Sequence, residues 1–340
     1  MSTAGEVRSY RDTFVPYWHP VAYAHELREG PLAARLLETE LVLWRTTSGV
    51  AATQRYCAHR GADLSAGTVT PQGLRCAFHG WTYAQSGSCV RIPSQPQTPV
   101  PERARVNSYL AAERHGLIWV CLSPAPAAPL PEWPELADSA TVATVPLPRL
   151  DWETSAGRMV EIVLDVAHLS FVHEGTFGNP DQPEVPAYDV ERLPDGLRAQ
   201  IVYPALAPAV GSAPPRVDRT TLTYEVTFPF TARLTFKPTL FYPHTVYAVA
   251  SPWSEEKMQC FYFASYHPRI RNFAELFVKS ESAILEQDRR VAEGQRPRAH
   301  PLDFSGEVPV KADRLPIEYR RAVAALRLGR PPDAPSLDSP

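Results

Sequence analysis

Two short stretches separated by sixteen residues, Cys57-Ala58-His59 and Cys76-Ala77-Phe78-His79, each carry one cysteine and one histidine. Four such donors ask for a metal, and the metal constrains the fold around both loops. Structural zinc modules pair Cys with Cys and His with His, so the mixed order speaks against zinc. It suits a [2Fe-2S] cluster with two thiolates on one iron and two neutral imidazoles on the other, a set that removes negative charge and raises the reduction potential. Gly61 and Gly80 follow the two loops, where bulky side chains would obstruct backbone approach to the sulfurs, and Trp81 stands where it can shield the site from water.

At 340 residues the chain has room for about two domains with cores of their own. A net charge of −3 and the lack of any Lys/Arg run leave no footprint for nucleic acid. Of the five cysteines, Cys89, Cys121 and Cys260 lack motif spacing and read as buried packing residues. No stretch reaches the roughly 18 apolar residues that span a bilayer, and Met1 to Val15 contains no apolar signal core. The expectation is a cytoplasmic protein with neither a membrane nor a nucleic acid as partner.

Proline marks the joints. Its 36 residues are about twice the average usage, and they crowd between Pro124 and Pro148, a run that cannot continue as helix or central strand. The expected organisation is therefore an N-terminal segment at 1–14, a small all-β domain at 15–125 holding the Cys/His loops, a Pro-rich connection at 126–148, a second domain at 149–329 and a disordered tail at 330–340. In the first domain, Leu41 to Trp44, Val50 to Tyr56 and Leu117 to Val120 read as strands. In the second, Glu161 to Val172 has helical periodicity. The stretches Thr221 to Phe230, Arg233 to Lys237, Phe241 to Ala250 and Gln259 to Tyr266 predict a sizeable antiparallel sheet. Phe273 to Gln295 predicts a long helix with Phe273, Leu276, Phe277, Ile284 and Val291 near one face, and Pro204 to Pro215 a flexible loop. The fold class is α+β.

Polar residues interrupt the first of these helical stretches: Asp165, His168 and His173. Two histidines and a carboxylate are what a mononuclear non-heme Fe(II) needs, with positions left open for oxygen and substrate. Five residues of ideal helix turn His173 about 140° away from His168, so a regular helix cannot present both to one ion. Either the helix ends near Phe171, as Gly175 and Gly178 suggest, or a widened turn re-aims His173.

Taken together, Cys57-x-His59, Cys76-x2-His79, Asp165-x2-His168-x4-His173 and Glu286-Gln287-Asp288-x4-Glu293-x-Gln295 resemble the alpha subunits of Rieske non-heme iron oxygenases, from about Tyr17 to about Leu328. The chain is most similar to their compact homotrimeric branch, which includes vanillate and dicamba O-demethylases. The string Asp165 to Gly175 is especially similar to saxitoxin-tailoring hydroxylases. This resemblance implies a Rieske domain followed by a helix-grip, START-like catalytic domain. It implies that Cys57, His59, Cys76 and His79 hold the [2Fe-2S] cluster, and that His168, His173 and Asp288 hold the mononuclear iron. By the same resemblance Asp165 is not a ligand but a bridge across a subunit boundary, with His79 of the neighbouring chain as its favoured partner over His59. Tunnelling decays steeply with distance, and in the resembling proteins the two metals of one subunit are too far apart, so a head-to-tail homotrimer brings each cluster beside the next subunit's iron. One departure from many relatives is Glu161, where they carry Asn; a structural or hydrogen-bonding role is expected for it.

The implied activity is oxidation of a ring-bearing small molecule with O2, with monohydroxylation as the leading reaction. Oxidative demethylation, desaturation and cis-dihydroxylation fit the same residues. No dinucleotide fingerprint follows a strand, so NAD(P)H acts only through a separate reductase, with or without a ferredoxin. Aromatic residues such as Phe177, Tyr203, Phe228, Phe230, Phe236, Phe241, Tyr242, Tyr247 and Phe263 are candidates for a pocket, though sheet core is the commoner fate of each. His244 and His267 are expected to be structural. Two rivals are an electron-transfer Rieske protein with a non-catalytic binding domain and a zinc-stabilised binding module.

Overall fold

The computed structural model describes residues 7–137, 140–207, 216–239 and 241–332. They divide into two compact units, one of Phe14–Leu130 with Ser251–Ser254, the other of the described residues up to Thr13, Pro131–Ala250 and those from Glu255 onward.

The first unit is built from strands. A six-stranded antiparallel sheet runs in the order His19–Tyr23, Leu117–Cys121, Ser108–Arg114, Gly49–Gln54, Thr39–Thr46, Leu32–Leu36. The strand Leu117–Cys121 is buried along its whole length, as its unbroken apolar run requires. A smaller four-stranded sheet comprises Thr68–Thr70, Gly73–Arg75, Thr82–Tyr83 and Cys89–Arg91. Val42, Trp44, Leu74 and Tyr83 share one apolar core with Cys57 and Cys76, so the thiols are anchored where packing is tightest.

The second unit is an antiparallel sheet ordered Ala143–Pro146, Met258–Tyr266, His244–Pro252, Thr231–Lys237, Arg216–Thr227, Gly196–Ala207, Val190–Leu193, with Leu150–Trp152 also paired to Met258–Tyr266. Thr220, Leu222, Tyr224 and Val226 alternate inward along Arg216–Thr227, as period-two patterning predicts. Helix Ala156–Leu164 touches strand Thr231–Lys237 and the helices Ala274–Gly294 and Arg314–Arg327. This is the expected α+β architecture, an all-β unit followed by a large antiparallel sheet with helices.

Local differences from the sequence reading have identifiable causes. Glu161 to Val172 is not one helix: Ser155 caps a helix that ends at Leu164, and a second, short helix spans Leu169–Val172. Asp165 makes the break, extended at φ −75° and ψ 126°, its Oδ1 accepting the Ala167 N–H at 2.8 Å in place of the helical ladder. Pro204 to Ala207 is strand rather than loop, because Ile201, Tyr203 and Ala205 continue an inward-facing alternation; residues 208–215 of that expected loop lie outside the described residues. Residues 333–340 of the expected tail lie outside them as well. Helix Ala274–Gly294 buries Glu281, Leu285, Asp288 and Ala292, whereas Leu276 and Val291, expected near the apolar face, are exposed. The helix Arg314–Arg327 was unanticipated, although Leu315, Tyr319, Ala322, Val323 and Leu326 carry a readable helical stripe.

Candidate functional site

The two Cys/His loops close in the same manner. Cys57 N–H donates to Ala62 O at 2.8 Å and Gly61 N–H to Cys57 O at 2.9 Å; Cys76 N–H donates to Trp81 O at 2.8 Å and Gly80 N–H to Cys76 O at 3.1 Å. Both turns need left-handed backbone, with φ of +68° at Gly61 and +71° at Gly80, which glycine adopts without strain. The thiols point into the core while His79 and its neighbour Phe78 face water. The His59 and His79 rings meet edge to face at 4.6 Å, and His59 stacks on Trp81 at 4.5 Å. Nδ1 of His59 is buried with no hydrogen-bond partner. A lone pair left this way fits a metal ligand, and with two free buried thiols beside it the four residues fit a [2Fe-2S] cluster. Sequence reasoning missed Tyr83, whose hydroxyl lies 3.1 Å from Cys57 Sγ and accepts the Ala58 N–H at 3.2 Å, so its proton is free to donate to the sulfur.

In the other unit, the two histidines flank one short helix. His168 still has helical backbone (φ −65°, ψ −27°) at the start of the short helix, whereas His173 leaves it just past the end (φ −102°, ψ 21°), so the helix stops at Val172 and His173 is no longer held to the ideal helical direction. Gly178 permits the tight return: a Cβ there would lie 2.5 Å from Leu169 O and 2.6 Å from the His173 carbonyl carbon. Asp288 enters from helix Ala274–Gly294. His168 Nε2 and His173 Nε2 are 3.2 Å apart, and Asp288 Oδ1 lies 3.5 and 3.2 Å from them respectively. Donors bound about 2.1 Å from one ion on a single octahedral face lie about 3.0 Å apart, so this near-equilateral triangle fits a facial two-His, one-carboxylate site. Asp288 Oδ1 is buried without a hydrogen bond, as a ligand oxygen would be.

Gln287, given no role from sequence, accepts from His173 Nδ1–H at 2.9 Å, which leaves the Nε2 lone pair for the metal. Its only sequence signal was its place beside Asp288. Asp165 stands outside the triangle, Oδ2 at 3.9 Å from His168 Nδ1, with its side chain partly exposed. Glu161 is held by other partners. Arg320 grips it with contacts of 2.6 and 2.9 Å, His300 lies at 3.0 Å and Arg158 at 3.5 Å, while Glu307 bridges the two arginines. Burial works against its charge, yet His300 and Arg320 outweigh burial and hold the carboxyl down at about 2. Its role is to tie helix Ala156–Leu164 to helix Arg314–Arg327.

A cavity of about 680 Å³ opens beside the histidines. Phe177, whose ring lies 4.9 Å from that of His173, forms its inner wall together with Tyr203, Leu222 and Phe236 from the sheet and Phe277 and Ile284 from the long helix. Of the aromatic candidates, Phe177, Tyr203, Phe236, Phe241 and Tyr242 line it; Phe228, Phe230, Tyr247 and Phe263 are not part of its lining. His244, expected to be structural, is also in the wall, stacked on Phe236 at 4.7 Å, and burial pushes it down to about 4, so it is neutral at physiological pH. His267 does cap a turn, its Nδ1 accepting from Arg269 N–H. Cys89, Cys121 and Cys260 are buried and free, in keeping with packing roles.

Residues 17–109 match the Rieske [2Fe-2S] domain family, and residues 152–328 match the vanillate O-demethylase oxygenase C-terminal domain family. The chain is 30% identical to methylxanthine N1-demethylase NdmA of Pseudomonas putida, across 94% of this chain and 91% of that protein. The structure of NdmA with caffeine is similar at a TM-score of 0.83 and 28% identity, covering 93% of this chain and 92% of that one. Dicamba monooxygenase bound to dicamba has the same fold, with a TM-score of 0.78 at 23% identity over 92% of this chain and 98% of that one.

Proposed function

Because the chain belongs to the Rieske non-heme iron oxygenases, which use a [2Fe-2S] cluster, a mononuclear iron and O2, we propose that it oxidises an N-methyl group of a ring-bearing small molecule at iron held by His168, His173 and Asp288. The observation that carries the proposal is the convergence of three donors, one of them an orphaned buried carboxylate oxygen, next to a largely apolar cavity whose Phe177 packs on His173 and which is large enough for a one- or two-ring compound. Iron(II) bound there would supply the activation of dioxygen.

The side chains have separable tasks. Gln287 fixes the tautomer of His173. Phe177, Phe236 and Phe277 exclude water and position the ring, and position decides which C–H bond reacts. The balanced change is one N–CH3, one O2, two electrons and two protons giving N–CH2OH and water, after which the carbinol releases formaldehyde and leaves N–H. N-demethylation is thus a monohydroxylation in its oxidative step, and the likeness to a methylxanthine N-demethylase over nearly the whole chain favours it over ring dihydroxylation or desaturation.

Electrons enter from a separate reductase through the cluster held by Cys57, His59, Cys76 and His79. Asp165 then joins His79 of one copy to His168 of the next in a homotrimer. Exposed apolar side chains beside both ends support this docking: Phe78, next to His79, is 61% exposed and Phe171, between His168 and His173, is 62% exposed. No helix among the described residues is long and apolar enough to cross a membrane.

The test is turnover of N-methylated heterocycles by the purified oxygenase with NADH and a surrogate reductase. One formaldehyde per substrate lost is expected. Products that retain every carbon and gain one oxygen would replace N-demethylation with stable hydroxylation.

A further inference from the structure

Helix Ala274–Gly294 turns an unexpected stripe inward. Glu281, Leu285, Asp288 and Ala292 are buried, while Leu276 is 64% and Val291 39% exposed. A helix oriented by hydrophobicity alone would bury the leucine and valine before two carboxylates, so the acids are held inside for their chemistry. Asp288 has its task beside His168 and His173. Glu281, two turns earlier, has none in that triangle.

Glu281 forms part of the cavity wall between Phe277 and Ile284. Its one hydrogen bond among the described residues comes from the Tyr262 hydroxyl, 3.3 Å from Oε2. Burial, with a smaller contribution from the charge of Asp288, pushes its carboxyl up to about 7 against the pull of Tyr262. Of the other polar groups of the wall, Thr176 donates to His173 O, Tyr203 bonds Ser170, and Asp218 takes both the N–H and the hydroxyl of Thr239, while Thr220, Ser280 and the neutral His244 also line it without adding a cation. No lysine or arginine lines the cavity among the described residues.

We infer that Glu281 is the specificity-determining anchor of the substrate cavity, accepting a hydrogen bond from an N–H of a nitrogen-bearing ring compound and turning away ring carboxylates and sulfonates. The inference rests on the cavity being the substrate site. A carboxylate guest would bring a second negative charge beside Glu281 with no cation to offset it, whereas an N–H guest satisfies the buried acid. The spacing is also apt. Seven residues of helix separate Glu281 from Asp288 by about 10 Å along the axis, so a one- or two-ring molecule tethered at Glu281 reaches the histidines with its far edge. The N–H can belong to a protonated amine or to a neutral amide-like nitrogen.

Calorimetric binding to the metal-loaded, full-length protein at pH 8 tests this with three two-ring probes: N-methyl-2-naphthylmethylamine, N-methyl-2-naphthamide and 2-naphthoate. At least one N–H probe is expected to bind about tenfold or more tightly than 2-naphthoate, and Glu281→Leu is expected to erase that preference. Glu281→Gln separates the two sources, because its carbonyl still accepts a neutral N–H but no longer neutralises a cation: retained naphthamide binding marks the neutral donor, and loss confined to the amine marks the cation. 2-Naphthoate binding as tightly as both N–H probes, no binding by either N–H probe, or a preference that survives Glu281→Leu overturns the inference. The leucine removes an uncompensated acid from an apolar wall, so the variant should melt no lower than the parent and keep its cluster absorbance. Formaldehyde is not read in this experiment, so a failed N-demethylation and a failed anchor give different results.

Discussion

The two metal-binding regions solve opposite problems. The proposed cluster donors come from residues 57–79, on two loops with the same backbone closure, and the imidazole edge at His79 faces water. The proposed iron donors come from residues 168, 173 and 288, and His173 and Asp288 are nearly inaccessible. An electron relay has to expose an edge to its partners, whereas a site that handles activated oxygen has to exclude water. The difference teaches where each site is vulnerable. The cluster depends on local turns, the iron on tertiary packing that brings a helix break against a distant helix.

The sharpest break in that comparison is Asp288→Ala. It should abolish turnover and release the mononuclear iron while leaving the reduced-cluster paramagnetic signal unchanged, read by metal analysis and electron paramagnetic resonance. Retained turnover would remove Asp288 from the ligand set.

Acid should separate the regions next. Glu161 is held at about 2 against an ordinary 4.5, and a carboxyl depressed on folding stabilises above its unfolded value and loses that contribution as pH falls through 4.5 toward 2. The loss amounts to about 3 kcal/mol by linkage. The ion pairs of the cluster region, Arg55 with Asp63 and Glu40, Arg35 with Glu40 and Arg45 with Glu113, are all partly exposed, where solvent screens the gain. Hydrogen exchange between pH 5 and 3 should therefore show helices Ala156–Leu164 and Arg314–Arg327 losing protection before the strands around Trp44. Simultaneous loss would mean that the buried ion pairs are not what distinguishes the two.

Asp165→Asn targets the proposed bridge from this iron site to the cluster of a neighbouring copy. Both metals should stay, while reoxidation of the reduced cluster in a single turnover slows by about 100-fold, the upper end for a residue acting on a ligand from outside the coordination sphere. An unchanged rate would route the electron elsewhere. Gln287→Leu should be milder, weakening iron binding by about tenfold because His173 loses the acceptor that sets its tautomer, with Gln287→Glu restoring it.

How much could be read in advance follows the same division. The cluster loops were legible because their donors and glycines are neighbours in sequence. From spacing alone His168 and His173 conflicted, and Asp165 competed with Asp288 for the carboxylate position. What eases the conflict is the end of the short helix at Val172, where His173 leaves helical backbone, while the Asp165 side chain separately ends the preceding helix through a local hydrogen bond that periodicity cannot register. The inward face of helix Ala274–Gly294 was misjudged for a related reason: hydrophobic patterning places leucine inside, and here two carboxylates displace it. Glu281, Leu285, Asp288 and Ala292 are spaced as one helical stripe, so the signal existed for a reader prepared to let acids define a buried face.

The smallest expected effect probes the cluster side alone. Tyr83 is buried in the core of its unit and sets its hydroxyl 3.1 Å from Cys57 Sγ. One-electron reduction adds negative charge that the sulfurs share, so an O–H donor stabilises the reduced form more than the oxidised one. Tyr83→Phe keeps the ring and its packing and deletes that donor, which should lower the reduction potential by about 40–50 mV, the equivalent of a hydrogen bond of about 1 kcal/mol in a one-electron couple. Spectroelectrochemical titration reads the shift, and iron occupancy at His168, His173 and Asp288 should not change with it. A potential that stays put would reduce Tyr83 to a packing residue and leave the tuning of the cluster to the backbone N–H groups of its two loops.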